Sequence, residues 1–450
     1  MNILCPALAG AHPPNQVDTT MPNEFSISHD SGDTPVLLNR EVVLNRSMKT
    51  VGYEFSLLDS MLGDNVRPGN GKGADGALIE HLQQAGIERM LGLCSAYLPM
   101  HSLDSLGLAM LQQQLATGLV VELNIGTCRA MPEAFIEQAE SLKDRGIRFA
   151  LQFDGHIEPG DVDLYAKAEW IVLDLSQPAE ISLSPKVDQI LQVCPALQPF
   201  VKNVVLQEEF TELLNSSPFS RPIQLFHGPF VVSKTAALED RPLQGDRMRI
   251  MELLNKLKQE SDNSKLADAL RRDPVVLFKL LRYANSPVTG LRTKAETAEQ
   301  ALMVIGRDKL YNWLTLLLYV TGEGSGLEYA LLNDSLVRGR MLELIGSERL
   351  GKQHANNLFL TGMFSLLDVL FHKPLPKILS LLTLPDEIRQ ALLESQGLYY
   401  PYLQVVYACE SGTPKELENI ATSMQMAVND INCRHVESLV WAQQVEQEAE

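Results

Sequence analysis

Between Val36 and about Lys234, short β-like runs alternate with helical stretches, and after Met248 that alternation stops. This change of period constrains the fold more than any other feature of the chain. The runs VLLNREVVL, TVGYEFSLL, RMLGL, LVVELNI, IRFALQF, WIVLDL, VKNVVL and IQLF are separated by segments such as GALIEHLQQAG and PEAFIEQAESLKDRG. Strands alternating with helices on this spacing imply parallel strands joined by crossover helices. Eight such runs within about 200 residues fit an α/β barrel of the (β/α)8 TIM-like type. An open doubly wound sheet is the competing arrangement, and the lack of G-x-G-x-x-G after the first strand counts against its dinucleotide-binding form. From Met248 the apolar residues recur at helical spacing, as in Leu310, Trp313, Leu314 and Leu317, so the second half reads as an all-α domain. Thr297 and Gln300 have the capping-box spacing, and Thr413 before Pro414 offers a second helix start.

The boundaries follow from composition. Residues 1–34 are rich in Pro, Asn, Asp, Ser and Thr without sustained periodicity and read as a flexible tail. The barrel is expected over 35–236, a charged linker with Pro242 and Gly245 over 237–247, the helical domain over 248–443 and an acidic tail over 444–450.

With 38 basic against 56 acidic side chains the 450-residue chain carries a net charge of -18. Phosphate backbones and anionic lipids are drawn to basic faces, so no nucleic-acid partner is expected. The six cysteines stand singly, with no C-x-x-C pair, as in a reducing compartment. The N-terminus has no basic stretch before its apolar residues, which argues against a secretory leader. The most apolar window, Leu310 to Val320, is about half the roughly 20 residues that span a bilayer. A cytoplasmic protein without membrane insertion is the expectation.

Two segments of the first half, LNREVVLNRSMKTVGYEF (Leu38 to Phe55) and LFHGPFVVSK (Leu225 to Lys234), resemble the opening and closing strands of EAL domains, barrel-fold phosphodiesterases that hydrolyse cyclic di-GMP. In the second half, LADALRRDPVVLFKLLRYANSP (Leu266 to Pro287) followed by TAEQALMVIGRDKLYNWL (Thr297 to Leu314) is similar to the HDOD domain, an all-helical relative of HD phosphohydrolases. EAL followed by HDOD is the order of a class of bacterial signalling proteins.

The resemblance implies a site of carboxylates, one Asn and one Gln around two Mg²⁺ ions, with a Lys nearby; Mg²⁺ demands such hard oxygen ligands. Glu54 and Glu122 stand at two of the ligand positions and are the vestigial candidates for a cofactor site. The Asn position falls within Leu91 to Cys94, which has no amide. The paired Asp positions read Gln152 and Phe153, followed by Asp154 and Gly155. The Lys position is Val172, with Asp174 retained; a further Glu falls on Gln207, or on Glu208 after a one-residue slip; the final Gln is His227; the nucleotide-holding Arg is Leu58. Two carboxylates cannot position two divalent cations, so no catalytic residue, bound metal or cofactor is expected and cyclic di-GMP hydrolysis is expected to be absent.

In the helical half, Ser365 and Leu366 stand where HD enzymes carry the metal-binding His and Asp, and Asp334 stands where many relatives carry His. HDOD domains are thought to act through protein contacts.

Alternative readings of single residues are weighed on the same footing. His227, His156 and Asp154 would form a rebuilt transition-metal site with Glu54 and Glu122 only if barrel topology gathered them. Trp170, Trp313 and Trp441 lie in apolar runs and are expected in the core; Asn285, Ser286 and Pro287 end a helix; Arg271 with Arg272 and Arg338 with Arg340 are expected on solvated helix faces. The chain is therefore read as a non-catalytic signalling adaptor whose partners are proteins bound through the HDOD domain or the domain junction. A cyclic di-GMP sensor is the alternative, and a residual phosphodiesterase a more distant one.

Overall fold

The structure, a computed structural model, describes residues 37–57, 71–103, 105–115, 118–176, 184–233, 245–259, 262–285, 294–321, 326–411 and 414–449. The N-terminal tail, most of the linker, Leu58, Ser286, Pro287 and Thr413 lie outside them.

The first half is a closed barrel of strands β1 (Leu38–Asn45), β2 (Thr50–Leu57), β3 (Ser95–Met100), β4 (Leu119–Asn124), β5 (Arg148–Gln152), β6 (Trp170–Asp174), β7 (Gln198–Lys202) and β8 (Leu225–His227), hydrogen-bonded in sequence order. Its outer helices are α1 (Gly71–Ala85), α2 (Ile87–Leu91), α3 (Ser105–Gln112), α4 (Ile125–Ala130), α5 (Pro132–Lys143), α6 (Asp161–Tyr165), α7 (Ser184–Val193) and α8 (Gln207–Asn215). The barrel expected from the sequence is present; β7 lies at Gln198–Lys202, upstream of most of the expected run VKNVVL, and two larger corrections follow.

First, β1 runs antiparallel to both neighbours, β2 and β8. Only residues 46–49 connect β1 to β2, which is enough for a hairpin and far too little for a crossover helix. Second, the run RMLGL is not a strand: Ile87–Leu91 is a helical turn, and β3 lies downstream at Ser95–Met100. Ile87, Met90 and Leu91 bury one helical face, and an apolar run this short carries no period of its own.

Inside the barrel, Val43, Tyr97, Val120, Ala150, Trp170, Val172, Phe200 and Leu225 form an apolar plug. Tyr97 meets Trp170 and Phe200 edge to face, with ring centroids 6.2 and 5.8 Å away. Gly52 makes this possible, since a Cβ there would sit 2.3 Å from the Tyr97 ring. The barrel is therefore filled rather than hollow, as eight-stranded barrels generally are.

The second half is helical: α9 (Gly245–Gln259), α10 (Asn263–Arg271), α11 (Pro274–Ala284), α12 (Ala298–Ile305), α13 (Arg307–Val320), α14 (Gly326–Leu350), α15 (Ala355–Phe364), α16 (Leu367–Phe371), α17 (Leu375–Leu379), α18 (Asp386–Leu393), α19 (Tyr400–Ser411), α20 (Pro414–Ser423) and α21 (Val428–Ala449). The capping box is formed at α12, where Thr297 Oγ1 accepts from Gln300 N and the Gln300 side chain accepts from Thr297 N. Asp273 caps α11, with Pro274 at its first position. Helix α14 is buried around most of its circumference, which places it at the centre of the domain. It approaches α15 closely at Gly339 and Gly362, where a Cβ on Gly362 would meet Gly339 backbone at 2.4 Å.

The halves are joined by more than the linker. Leu38 N donates to Asn432 Oδ1 at 3.1 Å, and Arg40 Nη2 donates to Asn333 Oδ1 at 2.7 Å. Arg40 Nη1 also reaches the Met90 carbonyl at 2.9 Å while the guanidinium covers the Tyr53 ring. Asn333 in turn donates to Glu446 on α21. No helix among the described residues is long and apolar enough to cross a membrane.

Candidate functional site

Parallel strands point their C-terminal ends to one rim of a barrel, and side chains facing inward there converge above the core. Register places Glu41 opposite Glu54 on β1 and β2, and Lys202 ends β7 beside Asp174 of β6. Above the apolar plug this gathers Glu41, Glu54, Glu122, Lys202 and His227. The Lys202 ammonium lies 2.6 Å from Glu54 Oε2 and 2.9 and 3.0 Å from the two oxygens of Glu122. His227 Nε2 lies 3.2 Å from Glu41 Oε2 and 3.7 Å from Glu54 Oε1. Glu54, Glu122, Lys202 and His227 are all buried.

Burial alone would lower the Lys202 pKa, but the charges of Glu122 and Glu54 overcome it and hold the ammonium charged well beyond its ordinary range. Burial pushes Glu122 upward against the pull of Lys202. His227 is likewise raised despite burial, because Glu54 and Glu41 favour the imidazolium, and Glu41 is correspondingly lowered by His227. The cluster thus brings three carboxylates, one ammonium and one imidazole together inside the barrel.

Glu54 and Glu122, the two residues singled out from the sequence, are brought together, and the group joining them is one that sequence reasoning missed. Lys202 is the second residue of the predicted run VKNVVL, and only the observed strand, Gln198–Lys202, puts it at a strand end facing the rim. The other sequence-based positions scatter. Asp154 is held by Arg129 Nη1 at 2.5 Å, and Arg129 also binds Asp161 at 2.7 Å. His156 is exposed and turned back on its own loop, where its Nδ1 lies 3.2 Å from the Asp154 carbonyl oxygen. Asp174 accepts from Asn203 Nδ2, Val172 is part of the apolar plug, and Gln207 and Glu208 open α8. The true third strand, Ser95–Met100, also offers no amide side chain; its Pro99 pairs with Glu122. Among the described residues no group of three or more His, Cys, Asp or Glu could hold a metal ion, so the rebuilt transition-metal site is not assembled there. A Mg²⁺ pair does not fit what is present. An ammonium already sits within hydrogen-bonding distance of both carboxylates.

The helical half repeats the arrangement. Arg338, expected on a solvated face, is 6% exposed, because α14 is enclosed by its neighbours. Its Nε and Nη2 donate to the two oxygens of Glu410, each at 2.7 Å, and its Nη1 donates to Ser365 Oγ at 3.0 Å. Ser365 is the residue at the expected metal-binding His position, so a guanidinium occupies that pocket. Asp334 nearby is raised to about 7 by burial and by Glu410, against the pull of Arg338 and Arg40. Arg340 is half-buried, paired with Glu343 and lying over Trp441. Trp170 and Trp313 are buried as expected, and Asn285 binds Ala295 across its loop.

These features define a filled barrel followed by a helical domain whose pocket is closed by arginine. Residues 243–375 match the HDOD domain family, so the chain carries an HDOD domain behind its barrel, in the domain order expected from the sequence. Along most of its length the chain is similar to two bacterial proteins. One is the uncharacterized protein YuxH of Bacillus subtilis, 26% identical over 395 residues that cover 85% of this chain and 93% of that one. The other is the cyclic di-GMP phosphodiesterase CdgJ of Vibrio cholerae, 24% identical over 416 residues covering 90% and 92%. Similar solved structures include the EAL domain of FimX from Pseudomonas aeruginosa bound to c-di-GMP, at TM-score 0.34 and 14% identity, covering 46% of this chain and 93% of that one. The YkuI protein of Bacillus subtilis, with an EAL domain and in complex with c-di-GMP and calcium, aligns at TM-score 0.35 and 14% identity over 53% and 72%.

Proposed function

We propose that this chain is a non-catalytic adaptor in cyclic di-GMP signalling that acts through protein contacts of its two domains. The observation that carries this reading is the Lys202 ammonium between Glu54 and Glu122. Metal-assisted phosphodiester hydrolysis needs divalent charge at the attacking and leaving oxygens. A monovalent ammonium already committed to two carboxylates supplies neither that charge nor a metal-bound hydroxide. The link to cyclic di-GMP rests on the similarity to CdgJ, whose activity does not transfer to a mouth filled in this way.

The hydrogen-bonded seam of Arg40, Asn333, Leu38 and Asn432 supports a mechanism in which an input at one domain shifts how the two pack and so changes the face offered to a protein partner. The test is a cyclic di-GMP hydrolysis assay on the full chain with Mg²⁺ and with Mn²⁺, beside calorimetry with the same nucleotide. Neither turnover nor heat of binding is expected. Turnover that disappears in Glu54→Ala would overturn the proposal, and binding without turnover would turn it into the sensor reading.

A further inference from the structure

The HDOD half presents a face that its own core does not explain. Helix α11 is anchored from within: Val276, Leu280, Tyr283 and Ala284 are buried, and the Tyr283 ring stacks on Trp313 with centroids 5.7 Å apart. Its start is fixed by the Asp273 cap and Pro274. On the opposite side Val275 and Phe278 are 64% and 62% exposed, and on α12, packed beside it, Met303 is 71% exposed with Val304 next to it. Residues at i, i+3, i+4 and i+7 share one helical face, so Val275, Phe278, Lys279 and Arg282 form one ridge. Four large apolar groups on two adjoining helices differ from the singly scattered exposed residues that any surface shows.

The charge around this face runs against that of the chain. Helix α11 carries Lys279 and Arg282 and no acid. Arg272 extends the cationic set; of the acids in the same stretch, Asp273 caps α11, Asp268 and Glu299 pair with Arg271, and Glu296 is exposed at the start of α12. A local cationic rim around an apolar strip, on a chain of net charge -18, favours one kind of occupant. Apolar side chains at helical spacing would enter the strip, and acidic ones flanking them would meet Lys279, Arg282 and Arg272.

We propose that the α11–α12 face is a docking site for an acidic amphipathic helix of a partner protein, which rests on the adaptor reading and gives its partner a chemistry. The test uses the full chain and a fluorescently labelled 18-residue helical peptide with leucines at i, i+3, i+4 and i+7 and glutamates flanking them, read by anisotropy. Saturable binding in the micromolar range is expected. It should weaken at least tenfold in Phe278→Asp, about fivefold in Arg282→Glu, and severalfold between 50 and 300 mM NaCl. Both side chains are exposed, and circular dichroism with thermal melts would verify that the variants stay folded. Equal affinity for a peptide with lysines in place of the glutamates would overturn the proposal. So would indifference to both substitutions, binding of a DNA duplex through the same two residues, or self-association of the chain that Phe278→Asp abolishes. Nucleotide turnover, assayed separately, would sink the adaptor reading while leaving the peptide result as it stands, so the two failures are distinguishable.

Discussion

Replacing Lys202 with Met removes the ammonium while keeping most of the side-chain volume, and leaves Glu54 and Glu122 facing each other without a cation. Breaking a buried ion pair by deleting one partner costs about 3–5 kcal/mol, because the remaining charge is stranded. Here two carboxylates are stranded, and the cheaper course is for one of them to take up a proton. Glu122, raised by burial even with Lys202 present, is the one expected to do so. From its ordinary value of 4.5, holding that proton at pH 8 costs about 5 kcal/mol at about 1.4 kcal/mol per unit, and at pH 5 under about 1 kcal/mol.

The sign is opposite to that of an ordinary salt-bridged carboxylate. The folded variant binds more protons than the unfolded chain, so its stability rises as pH falls from 8 to 5. The wild-type contribution of Lys202 is flat over that window, since its raised pKa makes its stabilisation complete below the unfolded value of 10.5. Urea unfolding of both proteins at pH 5, 6.5 and 8 measures this. The variant should be about 3–5 kcal/mol less stable at pH 8 and recover most of the difference at pH 5. Adding 10 mM CaCl2 at pH 8 should stabilise the variant by about 1.4 kcal/mol if the site takes the ion with a Kd near 1 mM, and leave the wild type unchanged. A loss below about 1 kcal/mol at pH 8 with no pH dependence, or equal calcium stabilisation of both proteins, would refute the idea that Lys202 acts as the internal cation.

Other substitutions probe the seam and the second pocket. His435 is buried, its ring nitrogens lack hydrogen-bond partners, and burial holds its pKa down to about 4, so the folded chain resists a proton that the unfolded chain accepts. Stability should therefore fall by about 3 kcal/mol between pH 6.5 and 4 from this residue, and His435→Leu should remove that part of the acid sensitivity in urea titrations. Asp334→Asn should stabilise the chain by about 2 kcal/mol above pH 7, where the buried carboxylate is charged, with the gain shrinking toward pH 4; the figure allows for partial exposure. Arg338→Met should cost about 3–5 kcal/mol, and adding Glu410→Gln should restore part of it, giving a coupling energy above about 1 kcal/mol in a double-mutant cycle. Arg40→Ala, which strands Asn333 and frees the Met90 carbonyl, should cost about 2 kcal/mol and separate one calorimetric transition into two.

What the sequence revealed about this molecule depended on whether a signal was local. The capping box at Thr297 and Gln300 is a contact between residues three apart, and it is present as read. Eight β-like runs closing into a barrel followed from alternation over many residues, yet the third run was misplaced because RMLGL is too short to show its period. The antiparallel β1 was hidden in plain view: only four residues separate it from β2, and a crossover cannot be made from four. Glu54 and Glu122 were found through a resemblance that compares single positions in order. Lys202 escaped that comparison because it stands 80 residues beyond Glu122, and only barrel closure brings β7 across to β2 and β4. Arg338 was assigned to solvent because two nearby arginines on a helix usually face water; α14 is an exception since other helices surround it.

Both pockets share one physical solution. A site built to surround cations with carboxylates becomes a liability when the cation is missing, since each unpaired buried charge costs several kcal/mol. Removing every carboxylate is one remedy; supplying a covalently tethered cation is the other. The barrel holds Glu54 and Glu122 around Lys202, and the helical domain holds Glu410 against Arg338. A tethered cation has an effective concentration that no change in the surroundings alters. Folding is then independent of divalent ions, and neither EDTA nor millimolar magnesium should move the melting temperature. On the adaptor proposal, inputs arrive as contacts at the surface or the seam, since Lys202 and Arg338 already neutralise the interior carboxylates they touch.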